Sequence, residues 1–152
     1  MGQVTLKEIL DTATQSEADA YDFYTQALNV VKDPSAKELL KEFADVELKH
    51  KNKLENFDLS KVEEQHHNLK EVQNLHLSDY LLDKDVAQDS TIQDIMVHAM
   101  KREKKAYEFY DNMSKVVTSL EVKHLFEELA AEELGHKLKI ETEYDDVIYK
   151  EF

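Results

Sequence analysis

Two short stretches of this sequence carry side chains of the kinds that bind metal ions. VELKH ends at His50 and EELGH ends at His136, and in each a glutamate stands three residues before the histidine, Glu47 and Glu133. On a helix this spacing puts carboxylate and imidazole on one face, one turn apart. A single Glu-x-x-His is weak evidence, because the chain has 33 acidic residues and seven histidines. The case for a site therefore depends on whether the two copies lie together.

The composition favours long helices and argues against several classes of function. Only two glycines and one proline occur in 152 residues, and 34% of the residues are charged. The formal net charge of −14, without a basic cluster, argues against binding to nucleic acid or to an anionic membrane. The absence of cysteine excludes disulfides, iron–sulfur clusters and thiol nucleophiles. No apolar run approaches about 18 residues and no signal peptide opens the chain, so we expect a cytoplasmic protein.

Apolar residues recur at spacings of three and four along four segments, which is the period of a core-facing helix. The first segment opens with a capping box at Thr5–Glu8, in which side chains satisfy free backbone donors. Asp33-Pro34 ends it and starts the second, since proline is favoured at the first helical position. The third begins near Ser90-Thr91, and Thr118–Glu121 predicts another capping box at the start of the fourth.

The connections between these segments predict how the helices are arranged. Two are short and each makes an antiparallel hairpin. The middle connection, about residues 58–89, is long enough to run back along a helix of about 22 residues, or about 33 Å, with a short helix near 78–82. The sequence therefore predicts an all-α, single-domain four-helix bundle over 1–152. Hairpin one spans about 5–57 and hairpin two about 90–146.

The two predicted hairpins repeat each other at a constant offset of 86 residues. The stretch EADAYDFY, which starts at Glu17, aligns with EKKAYEFY, which starts at Glu103. Both Glu-x-x-His motifs keep the same offset, without insertion or deletion. Chance explains this register poorly. It indicates a duplicated hairpin, and two equivalent hairpins can pack about a pseudo-twofold axis.

Six ionisable residues occupy positions that an apolar core residue would otherwise fill: Glu17, Glu47, His50, Glu103, Glu133 and His136. Glu17 lies 16 residues before Asp33, while Glu47 and His50 lie 14 and 17 residues after it. Similar distances from the turn of an antiparallel hairpin mean similar heights along it. The second hairpin has the same spacings around Ser119. We therefore expect all six in one layer, where buried carboxylates must be neutralised by protons, partners or metal.

Four glutamates and two histidines suit a pair of metal ions. Carboxylates can bridge two ions and each imidazole can complete the shell of one. The four negative charges match two divalent ions, and oxygen and nitrogen ligands without thiolate favour iron or manganese over copper. One glutamate from each of two helices, with Glu-x-x-His from the other two, is the pattern of di-iron and di-manganese carboxylate proteins.

Other polar residues near these positions have two interpretations each. Tyr24 and Tyr110 lie seven residues after Glu17 and Glu103 on the same helix faces, and either pack in the core or donate a hydrogen bond to a ligand carboxylate. Tyr21 and Tyr107 are the next candidates. We expect the remaining candidates to face solvent, flank the site or lie off the apolar stripes: Asp45, His66, His67, His76, His98, His124, Glu128 and Glu132.

At these motifs the chain resembles the rubrerythrin branch of the ferritin-like superfamily, over about residues 5–57 and 91–144. The resemblance implies a ferritin-like bundle with a non-haem di-iron site, while the ligand types also leave manganese or a mixed metal pair open. Its ligands would be the six residues above, with Tyr24 and Tyr110 bonded to ligand carboxylates. Because rubrerythrin-like proteins reduce hydrogen peroxide and are often dimers, the resemblance also implies a homodimeric oxidoreductase acting on hydrogen peroxide or dioxygen.

The sequence departs from the family pattern in two places. No cysteine is present to bind a rubredoxin-type iron, so the electron donor would be another protein or a small reductant. The family has a further glutamate three residues after the helix-three ligand, and that position is Ala106 here. Two alternatives to an enzyme therefore stand: iron or manganese binding and sequestration without turnover, and a structural bundle whose metal only stabilises the fold.

Overall fold

The computed structural model describes residues 5–61 and 86–150, and within these ranges the regular structure is helical. The elements are α1 (Leu6–Val30), α2 (Pro34–Glu55), a single 3₁₀ turn (Leu59–Lys61), α3 (Ile92–Val116) and α4 (Leu120–Lys150). Helix α1 packs along α2, and α3 along α4, as two antiparallel hairpins with short connections. The predicted all-α, ferritin-like four-helix bundle is confirmed.

The first helix of each hairpin begins with the same capping box. The Thr5 hydroxyl accepts a hydrogen bond from the Glu8 N–H at 3.1 Å, and the Thr91 hydroxyl accepts one from the Asp94 N–H at the same distance. In both cases the acidic side chain also accepts from the backbone N–H of the cap residue. These two starts are 86 residues apart, so the repeat extends to the helix ends.

The second helix of each hairpin begins with a different capping side chain. The Asp33 carboxylate accepts from the Ala36 N–H at 2.9 Å, and the Ser119 hydroxyl accepts from the Val122 N–H at 3.4 Å. The capping box predicted at Thr118 is therefore wrong by one residue. Ser119 lies 86 residues after Asp33, so the repeat indicates the correct cap whereas the local motif does not.

The core consists of two apolar clusters, each built from residues of all four helices. One includes Phe43 and Ile140 and the other includes Leu54 and Phe126, all 3% exposed or less. Along every helix, the six ionisable residues lie between the residues of one cluster and those of the other. The bundle thus has a polar layer in its middle, enclosed above and below by apolar side chains.

Two ion pairs across the hairpins reflect the pseudo-twofold relation. Lys53 on α2 lies 2.6 Å from Glu128 on α4, and Lys139 on α4 lies 2.6 Å from Glu42 on α2. The repeat offset converts one pair into the other. Because these side chains are largely exposed, the pairs add little stability, but they show that α2 and α4 meet in equivalent ways on both sides.

Several predictions concern the segment between the hairpins and the end of the chain. The short helix predicted near 78–82, and the three histidines His66, His67 and His76, lie outside the described residues. Helix α4 continues to Lys150, past the predicted end of hairpin two near 146. None of the helices in the described part combines the length and the apolar character that crossing a membrane requires.

Candidate metal centre

The structure brings all six sequence-predicted ligand residues together in the middle of the bundle, and all six are buried. Their potential ligand atoms form two overlapping groups, and within each group these atoms lie no more than 4.8 Å apart. One group consists of Glu17, Glu47, His50 and Glu133, and the other of Glu47, Glu103, Glu133 and His136. Each group thus combines residues from both hairpins.

Glu47 and Glu133 belong to both groups, whereas the other four residues belong to one each. A carboxylate has two oxygen atoms and can join two ions. Two bound ions would therefore share Glu47 and Glu133, and each would have one further glutamate and one histidine. The repeat relates the two positions, since it converts Glu17 and His50 into Glu103 and His136.

The hydrogen bonding of these side chains fits a bound cation. Within the described part of the chain, each of the six has at least one buried oxygen or nitrogen atom without a hydrogen-bond partner. His50 Nδ1 lies 2.8 Å from Glu133 Oε1, yet neither atom forms a hydrogen bond. Such unsatisfied buried atoms are costly in a native protein. Side-chain atoms that converge in this way are the donor set that two metal ions would satisfy.

Glu17 and Glu103, the outer glutamates that belong to only one group each, accept hydrogen bonds from two buried tyrosines. Each tyrosine lies on the opposite hairpin from its glutamate. The Tyr24 hydroxyl donates to Glu103 Oε1 at 2.5 Å, and the Tyr110 hydroxyl donates to Glu17 Oε1 at 2.5 Å. Burial, followed by the neighbouring carboxylates, raises the pKa of both phenols well above its usual value, so both remain protonated donors. Each bond leaves the other carboxylate oxygen, Oε2, unpaired in the described structure and facing the cluster.

The carboxylates of the layer repel one another when no metal is bound. Burial and then repulsion from neighbouring carboxylates raise the pKa of Glu47 and of Glu133 well above the usual value for a carboxyl group. Burial also acts to raise the pKa of Glu103, but its contacts with Glu133, His136 and Tyr24 outweigh burial and lower it. Ionisation of Glu47 and Glu133 is therefore disfavoured without added positive charge, which protons supply in the absence of metal.

His50 supplies part of that positive charge in the metal-free protein. Burial lowers the pKa of His50, but the carboxylate of Glu17, followed by that of Glu47, acts in the opposite direction. The result is a pKa raised from 6.5 to about 9. Because metal binding requires the neutral imidazole, metal ions and protons compete for this site.

The metal-free protein is therefore expected to lose stability as the pH rises from 6.5 to 9. A folded-state pKa above the unfolded value adds stability that is complete below 6.5 and is lost as the pH passes through about 9. The pKa values of Glu47 and Glu133 are also raised, so these groups change the stability in the same direction. We expect the melting temperature to fall by several degrees, since about 1 kcal/mol corresponds to roughly 2–4 °C at this size. Calorimetry with chelator at pH 6.5, 7.5 and 9 checks this, and His50→Gln should flatten the profile. A melting temperature that rises with pH contradicts the assignment.

A pocket opens onto the layer between α1 and α3. Besides four of the glutamates, its lining consists of Ser16, Ala20, Arg102 and Ala106. Ala20 and Ala106 are related by the repeat, and their small side chains leave space beside the carboxylates. Arg102 is 6% exposed, and its guanidinium carbon lies 4.7 Å from the centre of the Phe23 ring. Sequence reasoning missed Arg102, because nothing in the local pattern distinguishes it from the exposed lysines nearby.

Glu132 flanks the site, as the sequence predicted. Its side chain is 46% exposed, and its carboxylate contacts His50 Nε2, on the ring edge opposite the cluster; the sequence did not predict this contact. Of the others, Glu128 pairs with Lys53 at the surface, and Asp45 and His124 are exposed. His98 stacks on Phe23, and Tyr21 and Tyr107 pack against the apolar clusters. The sequence feature that could have indicated the contact with His50 is the position of Glu132 directly before Glu133 in EELGH.

Comparison with known proteins agrees with the fold and the site. The family model described as rubrerythrin matches residues 8–144. Among solved structures, a hypothetical protein from Pyrococcus furiosus superposes with a TM-score of 0.70 at 25% identity, over 95% of this chain and 91% of that chain. A search of curated proteins finds no match. Because the family model covers most of the chain, including all six clustered residues, the protein belongs to the rubrerythrin family.

Proposed function

We propose that this protein is a non-haem di-iron oxidoreductase that reduces hydrogen peroxide or dioxygen. The observation that carries the proposal is the double cluster of four buried glutamates and two buried histidines, with Glu47 and Glu133 common to both halves. Iron is the metal that the resemblance implies, and manganese or a mixed pair has the same ligand preferences. Membership of the rubrerythrin family supports this assignment.

Each side chain of the site has a defined task in this proposal. The six clustered residues would hold two ions, and Tyr24 and Tyr110 fix the orientation of Glu103 and Glu17 and limit their basicity through the hydrogen bonds they donate. The pocket beside Ala20 and Ala106 has a volume of about 10 Å³, which is roughly the space of one water-sized molecule. An opening this small favours a small oxidant such as hydrogen peroxide or dioxygen over a larger organic substrate.

The redox balance requires a second component. When bound, two ferrous ions supply the two electrons that convert hydrogen peroxide and two protons into two molecules of water. The chain has no cysteine with which to bind an electron-transfer iron of its own. We therefore propose that an external electron-donor protein returns the site to its reduced state. This donor would bind the homodimer that the family resemblance implies.

Anaerobic stopped-flow spectroscopy tests the redox function. Protein loaded with two Fe²⁺ per chain should develop near-ultraviolet absorption within seconds of mixing with one equivalent of hydrogen peroxide, and a ferrous-iron assay should show that two Fe²⁺ are lost per peroxide. Glu128→Gln is the matched control, because Glu128 pairs with Lys53 at the surface, and this variant should react like the wild type. Fully loaded protein that keeps its ferrous iron would contradict the redox function.

Metal binding without turnover is the alternative that one observation favours. Ala106 lines the pocket at the position where the family pattern has an additional glutamate, so the site has six protein ligands rather than seven. The formal net charge of −14 also favours the approach of cations. In this case the same stopped-flow experiment would show two bound ions and no reaction with peroxide, which separates sequestration from catalysis.

A further inference from the structure

The pseudo-twofold relation is obeyed by most of the contacts around the site. It relates the six clustered residues and the two tyrosine hydrogen bonds to the outer glutamates. It also relates the two ion pairs between α2 and α4, Lys53 with Glu128 and Lys139 with Glu42. Since α2 and α4 meet in equivalent ways on both sides, a difference there reflects the residues present and not the packing.

The relation is broken at the outer edges of the two histidines. Glu132 contacts His50 Nε2, but the position that the repeat relates to Glu132 is Val46, which has no hydrogen-bond acceptor in its side chain. His136 instead stacks on Phe43, with ring centres 4.4 Å apart and planes inclined by 22°. The residue that corresponds to Phe43 on the His50 side is Leu129. The two histidines therefore have different surroundings.

The contact with Glu132 has a chemical consequence for His50. An ionised carboxylate only accepts hydrogen bonds, so the proton of the neutral ring must be on Nε2. The lone pair is then on Nδ1, which faces Glu133 at 2.8 Å inside the cluster. A carboxylate that holds the outer N–H of a ligand histidine fixes the ring orientation and increases the electron-donating strength of the nitrogen that binds metal. Val46 has no carboxylate with which to accept a hydrogen bond from the ring of His136.

We propose that Glu132 is a positioning residue that makes the two metal positions inequivalent. The position served by Glu17 and His50 binds its ion first and more tightly than the position served by Glu103 and His136. The inference rests on the metal-binding part of the proposed function and not on the reaction with peroxide. It would stand if the protein held two ions without turnover.

Anaerobic calorimetric titration of the metal-free protein with Mn²⁺ tests the proposal. The wild type should show two binding steps. Glu132→Ala, which leaves no acceptor for the ring N–H, should weaken the first by about 10- to 100-fold, the usual effect of losing the partner of a ligand histidine, and bring the two steps together. Glu128→Ala, one turn away on α4 and also exposed, is the matched control and should leave both steps unchanged. Val46→Glu supplies the missing carboxylate, and in a folded variant it should strengthen the second step.

A second measurement separates positioning from a general effect on stability. In Zn²⁺-loaded protein, ¹⁵N-edited NMR of the imidazoles should show a slowly exchanging Nε2–H on His50, and Glu132→Ala should abolish the slow exchange while the backbone spectrum stays unchanged. The proposal is overturned if Glu132→Ala titrates like the wild type, or if the wild type binds both ions with equal affinity. Failure to bind any metal would instead overturn the proposed function itself.

Discussion

Replacement of both Glu47 and Glu133 by glutamine will remove tight binding of both ions and, at the same time, raise the melting temperature of the metal-free protein. Both side chains belong to both halves of the cluster, so the double variant affects the two positions together. Affinity should fall by more than about 100-fold, beyond the loss caused by removing only the hydrogen-bond partner of a ligand. Equilibrium dialysis against Mn²⁺ or anaerobic Fe²⁺ measures this loss.

The rise in metal-free stability follows from the electrostatics of the layer. Burial and then repulsion from neighbouring carboxylates raise the pKa of both carboxyl groups well above their usual value, and glutamine has nearly the same shape without the charge. Relief of buried charge is worth about 1–4 kcal/mol, or roughly 2–16 °C at this size. Melting with chelator checks it, with Glu128→Gln as the control. A double variant that retains two ions, or that melts lower than the wild type, contradicts the assignment of these residues as bridging ligands.

Loading the wild type with metal will raise its melting temperature by roughly 10–20 °C. A ligand that binds only the folded state adds about 2.7 kcal/mol at 100 times its dissociation constant. Two ions therefore add about 5 kcal/mol, and each kcal/mol corresponds to roughly 2–4 °C. The ions would also take the place of the missing hydrogen bonds at the six buried side chains.

Differential scanning calorimetry of metal-free and Mn²⁺-loaded protein measures this increase. The glutamine double variant at Glu47 and Glu133 is the control and should gain almost nothing from metal. Mg²⁺ should also have a small effect, because it retains much of its water shell and is seldom held by a cage made only of protein side chains. Equal melting temperatures with and without Mn²⁺ would show that the layer is stable without a cation and would contradict a metal centre.

The sequence was sufficient to predict the height of the site along the bundle. Helical rise is constant, so counting residues from Asp33 and from Ser119 places Glu17 level with Glu47, and Glu103 level with Glu133. The capping box at Thr5 was predictable for a similar reason, because its contacts span only three residues. Features governed by local spacing were therefore accessible without the structure.

The side-chain contacts between the two hairpins could not be predicted by counting residues. Residue counting gives height but not the direction in which a side chain points. For that reason it did not identify Glu47 and Glu133 as the shared carboxylates, or show that Tyr24 bonds to Glu103 rather than to the nearby Glu17. The contact of Glu132 with His50 also joins two hairpins. The cap of α4 was predicted wrongly from the local sequence, because a plausible motif at Thr118 obscured Ser119, the position that the repeat indicates.

The central claim is that one chain holds two metal ions at a site shared by its two hairpins. The most direct measurement is the metal content per chain, by elemental mass spectrometry, of protein that has been loaded anaerobically with Fe²⁺ and then desalted. The account predicts two iron ions per chain in the wild type and a near-complete loss in the glutamine double variant. One ion or fewer per folded wild-type chain, or two ions in both proteins, would contradict it.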